Sequence, residues 1–333
     1  MKIVIDDTVP FVAERASAHA DVMVKKGSAI GPEDLRDADA LVASTRLRAG
    51  RPLLEGSAVR LVATGSIGMD HIDLEWCGAA GIEAVNAPGC NAPAVVQYVV
   101  CSLAAAGFDF SRDTLGVVGK GNIGGLLVHV VRNAGGKVLV CDPPRAEKRD
   151  GGVPDPENYL PLETLLKRSD AVTFHVPLTR AGLHSTFGML SGREMGCLKE
   201  GAILVNASRG GVVDENALHT RGAHLKLIID TWFGEPLADV GLIDRALIST
   251  THIAGYSEQG KQRAARSVIE AINRKFSLSI PTDGLADYSF RDNPPALEEF
   301  LASYDPRIDS AALKSSPESF ESLRLAYAYR PEP

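Results

Sequence analysis

Long apolar runs are missing from this chain of 333 residues. No stretch approaches the roughly 18 consecutive apolar residues that a membrane-spanning helix requires. The first apolar run is short and ends at the acidic pair Asp6 and Asp7, so it lacks the length of a signal-peptide core. We therefore expect no membrane partner.

Cysteine is also scarce, with five residues in the chain. They are scattered and odd in number, at positions 77, 90, 101, 141 and 197. This pattern fits neither a disulfide framework nor the ligand spacing of a zinc site. The sequence therefore predicts a protein of the reducing cytoplasm without a metal centre.

Positive charge is not in excess, since 35 Lys and Arg residues face 42 Asp and Glu residues. The resulting net charge of −7 argues against nucleic acid as the partner of the whole surface. The length is sufficient for two domains, and hydrophobic residues make up 45% of the chain, as in ordinary globular proteins. The partner we expect is a small molecule.

The strongest motif is a glycine-rich turn after a predicted strand at Leu115–Val118. Its glycines follow the spacing G-x-G-x-x-G, in which the first permits a tight turn, the second lets the backbone approach a pyrophosphate, and the third allows close helix packing. The N–H groups of the helix that follows would face that pyrophosphate. The dinucleotide contacts predicted here are Gly119, Gly121, Asn122, Ile123 and Gly124.

An acidic residue, Asp142, ends the next predicted strand at about the 20-residue spacing typical of this motif. Its carboxylate can accept hydrogen bonds from the adenosine ribose and would repel a 2′-phosphate. The sequence therefore predicts NAD rather than NADP as the cofactor.

Strands alternate with helices along most of the chain, which predicts an α/β fold with right-handed crossovers. We expect two Rossmann-like, doubly wound parallel-sheet domains and a short C-terminal α+β appendage. The substrate-binding domain is predicted at 1–91 and 256–279, the NAD-binding domain at 92–255, and the appendage at 280–333, where Pro, Asp and Ser are frequent.

In the first domain, small polar residues follow two predicted strands. Thr45 and Arg46 come after the strand at 40–43, and Ser66 comes after the strand that ends at Thr64. Ligands of α/β proteins gather at the carboxyl ends of strands, and hydroxyls and amides there suit an oxyanion. Ordinary turn chemistry is the alternative explanation.

In the second domain, Arg209, Glu235 and His252 lie at the ends of three consecutive predicted strands, the last of which is Leu247–His252. Oxidation of a 2-hydroxy acid needs a guanidinium for the carboxylate, a base for the hydroxyl proton, and a carboxylate that orients the base. The three residues can fill these roles in the order Arg209, His252, Glu235. Each alone could be a surface or structural residue, but their joint position favours catalysis.

These motifs together resemble the D-isomer-specific 2-hydroxyacid dehydrogenases. The resemblance implies that Arg209, Glu235 and His252 are catalytic. It implies further cofactor contacts at Asp142, Thr173, Ala207, Ser208, Arg209, Asp230 and Gly255, and substrate contacts at Thr45, Ser66 and Tyr256. From the sequence alone, Asp230 could bond the amide of the nicotinamide or be a helix cap, and Tyr256 could be a packing residue at the hinge.

A second set of segments resembles one group within that family, whose members act on a phosphorylated 2-hydroxy acid and carry an extra dimerisation segment. The segments are 70–71, 87–92, 138–145, 252–261 and, in the tail, 304–307 and 320–330. The resemblance implies oxidation at C2 of such an acid by a homodimer. Ser44 stands where this group has an arginine. Arg46 or Arg48 could supply the missing charge, and we expect Arg46 because it is nearer the strand end.

Two other functions remain open at this point. One is a dehydrogenase of the same family that acts on 3-phosphoglycerate or a small 2-oxo acid. The other is an NAD-sensing interaction protein that keeps the fold without turnover.

Overall fold

The computed structural model describes residues 1–147 and 157–333. These residues form two compact units: Met1–Asn91 with Ser257–Phe290, and Ala92–Tyr256 with Arg291–Pro333. The sequence predicts one separate appendage at 280–333, whereas the structure divides that segment between the two units. The physical reason is that Ile280 and Leu285 are buried in the core of the first unit.

Each unit contains one parallel sheet, which confirms the predicted α/β fold class. The strands of the first unit are β1 (Lys2–Asp6), β2 (Asp21–Lys25), β3 (Ala40–Ala43), β4 (Leu61–Thr64) and β5 (Glu83–Val85). The described strands of the second unit are β6 (Thr114–Val118), β7 (Lys137–Cys141), β8 (Ala171–Phe174), β9 (Ile203–Asn206), β10 (Lys226–Ile229) and β11 (Ile248–Ser249).

Helices connect these strands and also follow the last of them. They are α1 (Val12–Ala16), α2 (Pro32–Leu35), α3 (Arg51–Leu54), α4 (Leu74–Ala79), α5 (Ala92–Ala105), α6 (Asn122–Asn133), α7 (Pro143–Glu147), α8 (Leu162–Arg168), α9 (Gly192–Met195), α10 (Glu215–Thr220), α11 (Val240–Arg245), α12 (Glu258–Phe276), α13 (Leu297–Ala302), α14 (Pro306–Ser315) and α15 (Phe320–Leu325). Among the residues described, no helix has both the length and the apolar character needed to cross a membrane.

The first sheet has the order β2-β1-β3-β4-β5. Its central strands are short apolar runs buried on both faces, as expected for a parallel sheet covered by helices. The long helix α12 covers one face with Val268, Ile269 and Ile272. Ser257 starts this helix, because its hydroxyl accepts a hydrogen bond of 3.0 Å from the N–H of Gly260.

The second sheet has the order β11-β10-β9-β8-β6-β7 over the described residues. The chain runs outward from β6 to β7 and then returns to the other side of β6 to form β8. Strand order therefore reverses between β6 and β8, and ligands of doubly wound sheets bind at the carboxyl ends of strands beside such a reversal. The predicted strand at Leu247–His252 is shorter in the structure, because the chain leaves the ladder after Ser249.

The C-terminal segment packs on the second unit through helices. Leu313 and Phe320 are buried in the core around β8 to β10, and Phe300 is fully buried. The hydroxyl of Ser310 accepts a hydrogen bond of 3.0 Å from the N–H of Ser249. The C-terminal segment thus covers the outer edge of the second sheet at β11. No strand forms in residues 280–333, which are described throughout, so the α+β character expected for the appendage is corrected to helical.

Candidate active site

The glycine turn joins β6 to α6. Gly119 has a φ of 91°, a conformation that favours glycine, and a Cβ on Gly124 would lie only 1.9 Å from the carbonyl oxygen of Gly119. Helix α6 therefore starts in close contact with the turn. The residue before it, Gly121, offers no side-chain cap, so the first N–H groups of the helix can bind a phosphate. These features fit a dinucleotide.

Asp142 follows β7 beside this turn, and its carboxylate is held by backbone donors. Its Oδ2 accepts a hydrogen bond of 2.7 Å from the N–H of Lys120, inside the glycine motif. Its Oδ1 accepts one of 3.1 Å from the N–H of Arg145. The carboxylate is thus fixed next to the turn with lone pairs left for ribose hydroxyls.

Thr173 lies in β8, where its hydroxyl is 3.1 Å from Nε2 of His175. Burial lowers the pKa of His175 to about 3, so its ring is neutral at physiological pH. In the part of the chain that the structure describes, the buried Nδ1 of His175 has no hydrogen-bond partner. The sequence favours a core role for His175, whereas the structure places this residue directly after β8, at the strand-order reversal.

A backbone hydrogen bond of 2.7 Å runs from the N–H of His175 to the carbonyl oxygen of Val118. It ties the end of β8 to the end of β6, directly before the glycine turn. The unpartnered Nδ1 therefore lies near the carboxyl ends of β6 and β8, where a dinucleotide would bind. No local sequence signal distinguishes this histidine from a core residue.

The residues after β9 form a tight polar turn. The hydroxyl of Ser208 donates a hydrogen bond of 2.9 Å to Oδ1 of Asn206. The guanidinium of Arg209 donates one of 2.8 Å to the carbonyl oxygen of Ser208. Ala207, between Asn206 and Ser208, is buried. Asn206 also donates to the carbonyl of Arg209 at 3.1 Å, so this strand-end asparagine fixes the turn that carries the arginine.

His252 and Glu235 form a hydrogen-bonded pair. Nδ1 of His252 lies 2.6 Å from Oε1 of Glu235, and the two side chains are 26% and 23% exposed. Burial alone would raise the pKa of Glu235, but the hydrogen bond from His252 and the charges of His252 and Arg324 hold that pKa below its ordinary value. Glu235 is therefore ionised at neutral pH. With Nδ1 bound to it, Nε2 is the ring nitrogen left to exchange a proton.

Asp230 holds the segment that follows His252. Its Oδ1 accepts hydrogen bonds of 2.6 Å from the hydroxyl of Thr250 and 2.8 Å from the N–H of Ile253. Its Oδ2 accepts one of 3.0 Å from the N–H of Ala254. This buried carboxylate positions the turn around His252, a role that the sequence does not reveal. The predicted contact with the nicotinamide stays a prediction.

The C-terminal segment holds the same turn from its other side through Arg330. This buried guanidinium donates to the carbonyl oxygens of Ile253 at 3.0 Å and Tyr256 at 3.2 Å, and also to that of Ala254. Gly255 lies inside the turn that these contacts close. In the sequence Arg330 stands out only as part of a motif, because its partners in this turn are 74 to 77 residues away.

The first unit carries predicted substrate-binding residues at the carboxyl ends of neighbouring strands. Thr45 and Arg46 form an exposed turn after β3, and Ser66 follows the neighbouring strand β4. Ser44, before that turn, donates a hydrogen bond of 2.5 Å to Asp6 at the end of β1. Ser66 donates one of 2.8 Å to the carbonyl of Gly68. The hydroxyl of Ser44 is thus used to fix the turn.

The second unit likewise carries Arg209, Glu235 and His252 after the adjacent strands β9, β10 and β11. A glycine turn, a strand-end carboxylate and a histidine–carboxylate pair on one parallel sheet define the nucleotide-binding domain of a dehydrogenase. Residues 100–254 match the NAD binding domain of the D-isomer specific 2-hydroxyacid dehydrogenases. This match confirms NAD as the predicted cofactor.

The chain belongs to the D-isomer specific 2-hydroxyacid dehydrogenase family. It is 38% identical over 351 residues to the erythronate-4-phosphate dehydrogenase of Bacteroides fragilis strain YCH46, with 100% of this chain and 97% of the relative covered. It is 40% identical over 359 residues to the enzyme of the same name from Pseudomonas paraeruginosa strain PA7, covering 100% of this chain and 93% of the relative.

Among solved structures, the TT0316 protein of Thermus thermophilus is similar, with a TM-score of 0.71 and 26% identity. The match covers 84% of this chain and 99% of that protein.

Proposed function

We infer that this chain oxidises 4-phospho-D-erythronate at C2 to 2-oxo-3-hydroxy-4-phosphobutanoate with NAD, as a step toward pyridoxal 5′-phosphate. The observation that carries the chemistry is the 2.6 Å contact between His252 and Glu235 on the NAD-binding unit. The full-length similarity to erythronate-4-phosphate dehydrogenases supports the choice of substrate.

In the proposed reaction, bound NAD supplies the acceptor for the hydride that leaves C2. Nε2 of His252 takes the hydroxyl proton, so that the O–H electron pair forms the C=O bond. Glu235 stabilises the resulting imidazolium, because its carboxylate remains ionised beside the ring. Asp230 keeps this ring in place by binding the backbone after it.

Binding roles are proposed for the other candidates. Arg209 holds the substrate carboxylate, since a guanidinium matches a carboxylate with two parallel hydrogen bonds. Substrate contacts are assigned to Thr45, Ser66, Tyr256 and Arg46. Cofactor contacts are assigned to Gly119, Gly121, Asn122, Ile123, Gly124, Asp142, Thr173, Ala207, Ser208, Arg209, Asp230 and Gly255.

The proposal also includes a cytoplasmic homodimer, with substrate binding by the first unit, NAD binding by the second unit and dimerisation through the C-terminal segment. The free state of all the cysteines that the structure describes is consistent with a reducing compartment. Sedimentation of the purified chain tests the dimer.

A substrate panel tests the activity. The purified protein is given NAD and either 4-phospho-D-erythronate, 3-phosphoglycerate or D-lactate, and reduction of NAD is followed by absorbance. We expect the highest kcat/KM with 4-phospho-D-erythronate. Preference for either other acid would leave a 2-hydroxyacid dehydrogenase of different specificity, and NAD binding without turnover of any acid would favour a sensor.

A further inference from the structure

A further arginine lies beside the Glu235–His252 pair, and it comes from the C-terminal segment. Arg324 is carried by α15, whose first residue, Phe320, is 1% exposed in the core of the second unit. Leu323 packs against the same core. The helix is therefore anchored to this unit, and Arg324 has a defined position next to the proposed catalytic pair.

The guanidinium of Arg324 makes few hydrogen bonds within the described protein. Its Nε donates a hydrogen bond of 3.3 Å to the hydroxyl of Tyr256. Its Nη1 lies 3.8 Å from Oε1 of Glu235 and 3.8 Å from Oε2 of Glu321, which is too far for hydrogen bonds. Across residues 1–147 and 157–333, neither Nη1 nor Nη2 donates a hydrogen bond, although the side chain is only 15% exposed.

Two other arginines of the same segment are fully engaged. Arg330 donates to backbone carbonyls and, at 2.7 Å, to the side chain of Gln97. Arg307 binds both carboxylate oxygens of Asp305, at 2.8 and 2.7 Å. A largely buried guanidinium whose Nη1 and Nη2 donate no hydrogen bond is unfavourable unless an anion accepts from them. Arg324 thus differs from these arginines in a way that indicates a ligand.

The neighbouring carboxylates do not complete this guanidinium. Oε1 of Glu235 already accepts the hydrogen bond from His252 at 2.6 Å. Glu321 is 39% exposed and one turn away on the same helix, where an ion pair contributes little. The acceptor for Nη1 and Nη2 must therefore come from outside the described protein.

The substrate class offers two anionic groups, and Arg209 is assigned to the carboxylate beside the reacting carbon. We propose that Arg324 binds the phosphate of the phosphorylated 2-hydroxy acid, with the hydroxyl of Tyr256 beside it. This assignment rests on the proposed function and makes the C-terminal segment a determinant of substrate specificity. A phosphate carries about two negative charges at neutral pH and accepts the paired N–H groups of a guanidinium.

The phosphate does not react, so its contact is equally strong in the ground state and the transition state. Loss of such a contact raises KM and leaves kcat unchanged. The test compares Arg324→Ala and Arg324→Lys with the wild-type chain, using 4-phospho-D-erythronate and unphosphorylated D-erythronate. Arg307→Ala is the matched control, because it removes an arginine of the same segment whose partner is Asp305. Competition by inorganic phosphate is measured for each variant.

We expect Arg324→Ala to raise KM for the phosphorylated acid by about 10- to 100-fold, the loss typical of hydrogen bonds to a charged group. The inhibition constant of inorganic phosphate should rise in parallel, Arg324→Lys should be intermediate, and D-erythronate oxidation should be unchanged. Equal losses with both acids would overturn the assignment and leave Arg324 as a residue that acts through Glu235. A wild-type chain that does not oxidise the phosphorylated acid would instead refute the proposed function, and this assignment with it.

Discussion

Nδ1 of His252 lies 2.6 Å from Oε1 of Glu235, although the two residues are 17 positions apart in the sequence. They meet because β10 and β11 are parallel neighbours, with Ile229 opposite Ser249. His252 has a φ of 59°, which is unfavourable for a residue other than glycine. Asp230 stabilises this conformation by accepting hydrogen bonds from the next two N–H groups of the chain.

The first prediction concerns the proposed base. His252→Asn should lower kcat by about 10²–10⁴-fold, the usual contribution of a positioned acid–base group. The dissociation constant of NAD should stay the same, because the substitution leaves the glycine turn intact. Steady-state rates and NAD titration check both statements. His219→Asn is the matched control, since His219 also pairs with a carboxylate, Asp239, at 2.9 Å but is exposed. A rate as high as that of the control would remove His252 from the mechanism.

The second prediction concerns the partner of that base. Glu235→Gln removes the negative charge that stabilises the imidazolium form of His252. At neutral pH kcat should fall in steady-state assays, because the product imidazolium is no longer stabilised. A kcat equal to that of the wild-type chain would show that the charge of Glu235 does not act in the reaction.

The third prediction concerns cofactor choice. The wild-type chain should prefer NAD strongly over NADP, because the carboxylate of Asp142 would repel a 2′-phosphate. Asp142→Ala should narrow this preference by raising KM for NAD and lowering it for NADP. The ratio of kcat/KM for the two cofactors is the measurement. Equal use of both by the wild-type chain would contradict the role of Asp142.

The fourth prediction concerns the first unit. Arg46→Ala should raise KM for 4-phospho-D-erythronate more than it changes kcat, if Arg46 supplies the charge that Ser44 cannot. Ser44 itself is bound to Asp6. Activity toward an unphosphorylated 2-hydroxy acid should change little. Similar effects on both kinds of substrate would exclude Arg46 as a phosphate ligand.

Local patterns in the sequence predict much of this structure. The glycine spacing, the apolar strands and Asp142 are encoded within short segments, and each lies where the sequence expects it. The order of the strands also predicts that Arg209, Glu235 and His252 follow adjacent strands. By contrast, the sequence does not predict β5. This strand has only three residues, and because each is half-buried, they do not form an apolar run.

Contacts over long separations in the chain could not be predicted. Arg324 reaches Tyr256 across 68 residues, and Arg330 reaches Ile253 across 77. No periodicity in the tail indicates that its arginines face the turn after His252, because their positions depend on how Leu313 and Phe320 pack in the second core. The hydrogen bonds that Asp230 accepts from the N–H groups of Ile253 and Ala254 depend in the same way on the path of the chain beyond β11.

In the proposed reaction, this chain removes hydrogen from C2 of a phosphorylated 2-hydroxy acid and delivers it to NAD. The most direct measurement uses 4-phospho-D-erythronate that carries deuterium at C2, with mass spectrometry of the cofactor after turnover. We predict that the deuterium is recovered in the reduced cofactor and that His252→Asn slows its appearance. Reduced cofactor without deuterium, or no reduction with this substrate while another 2-hydroxy acid is oxidised, would refute this hydride transfer.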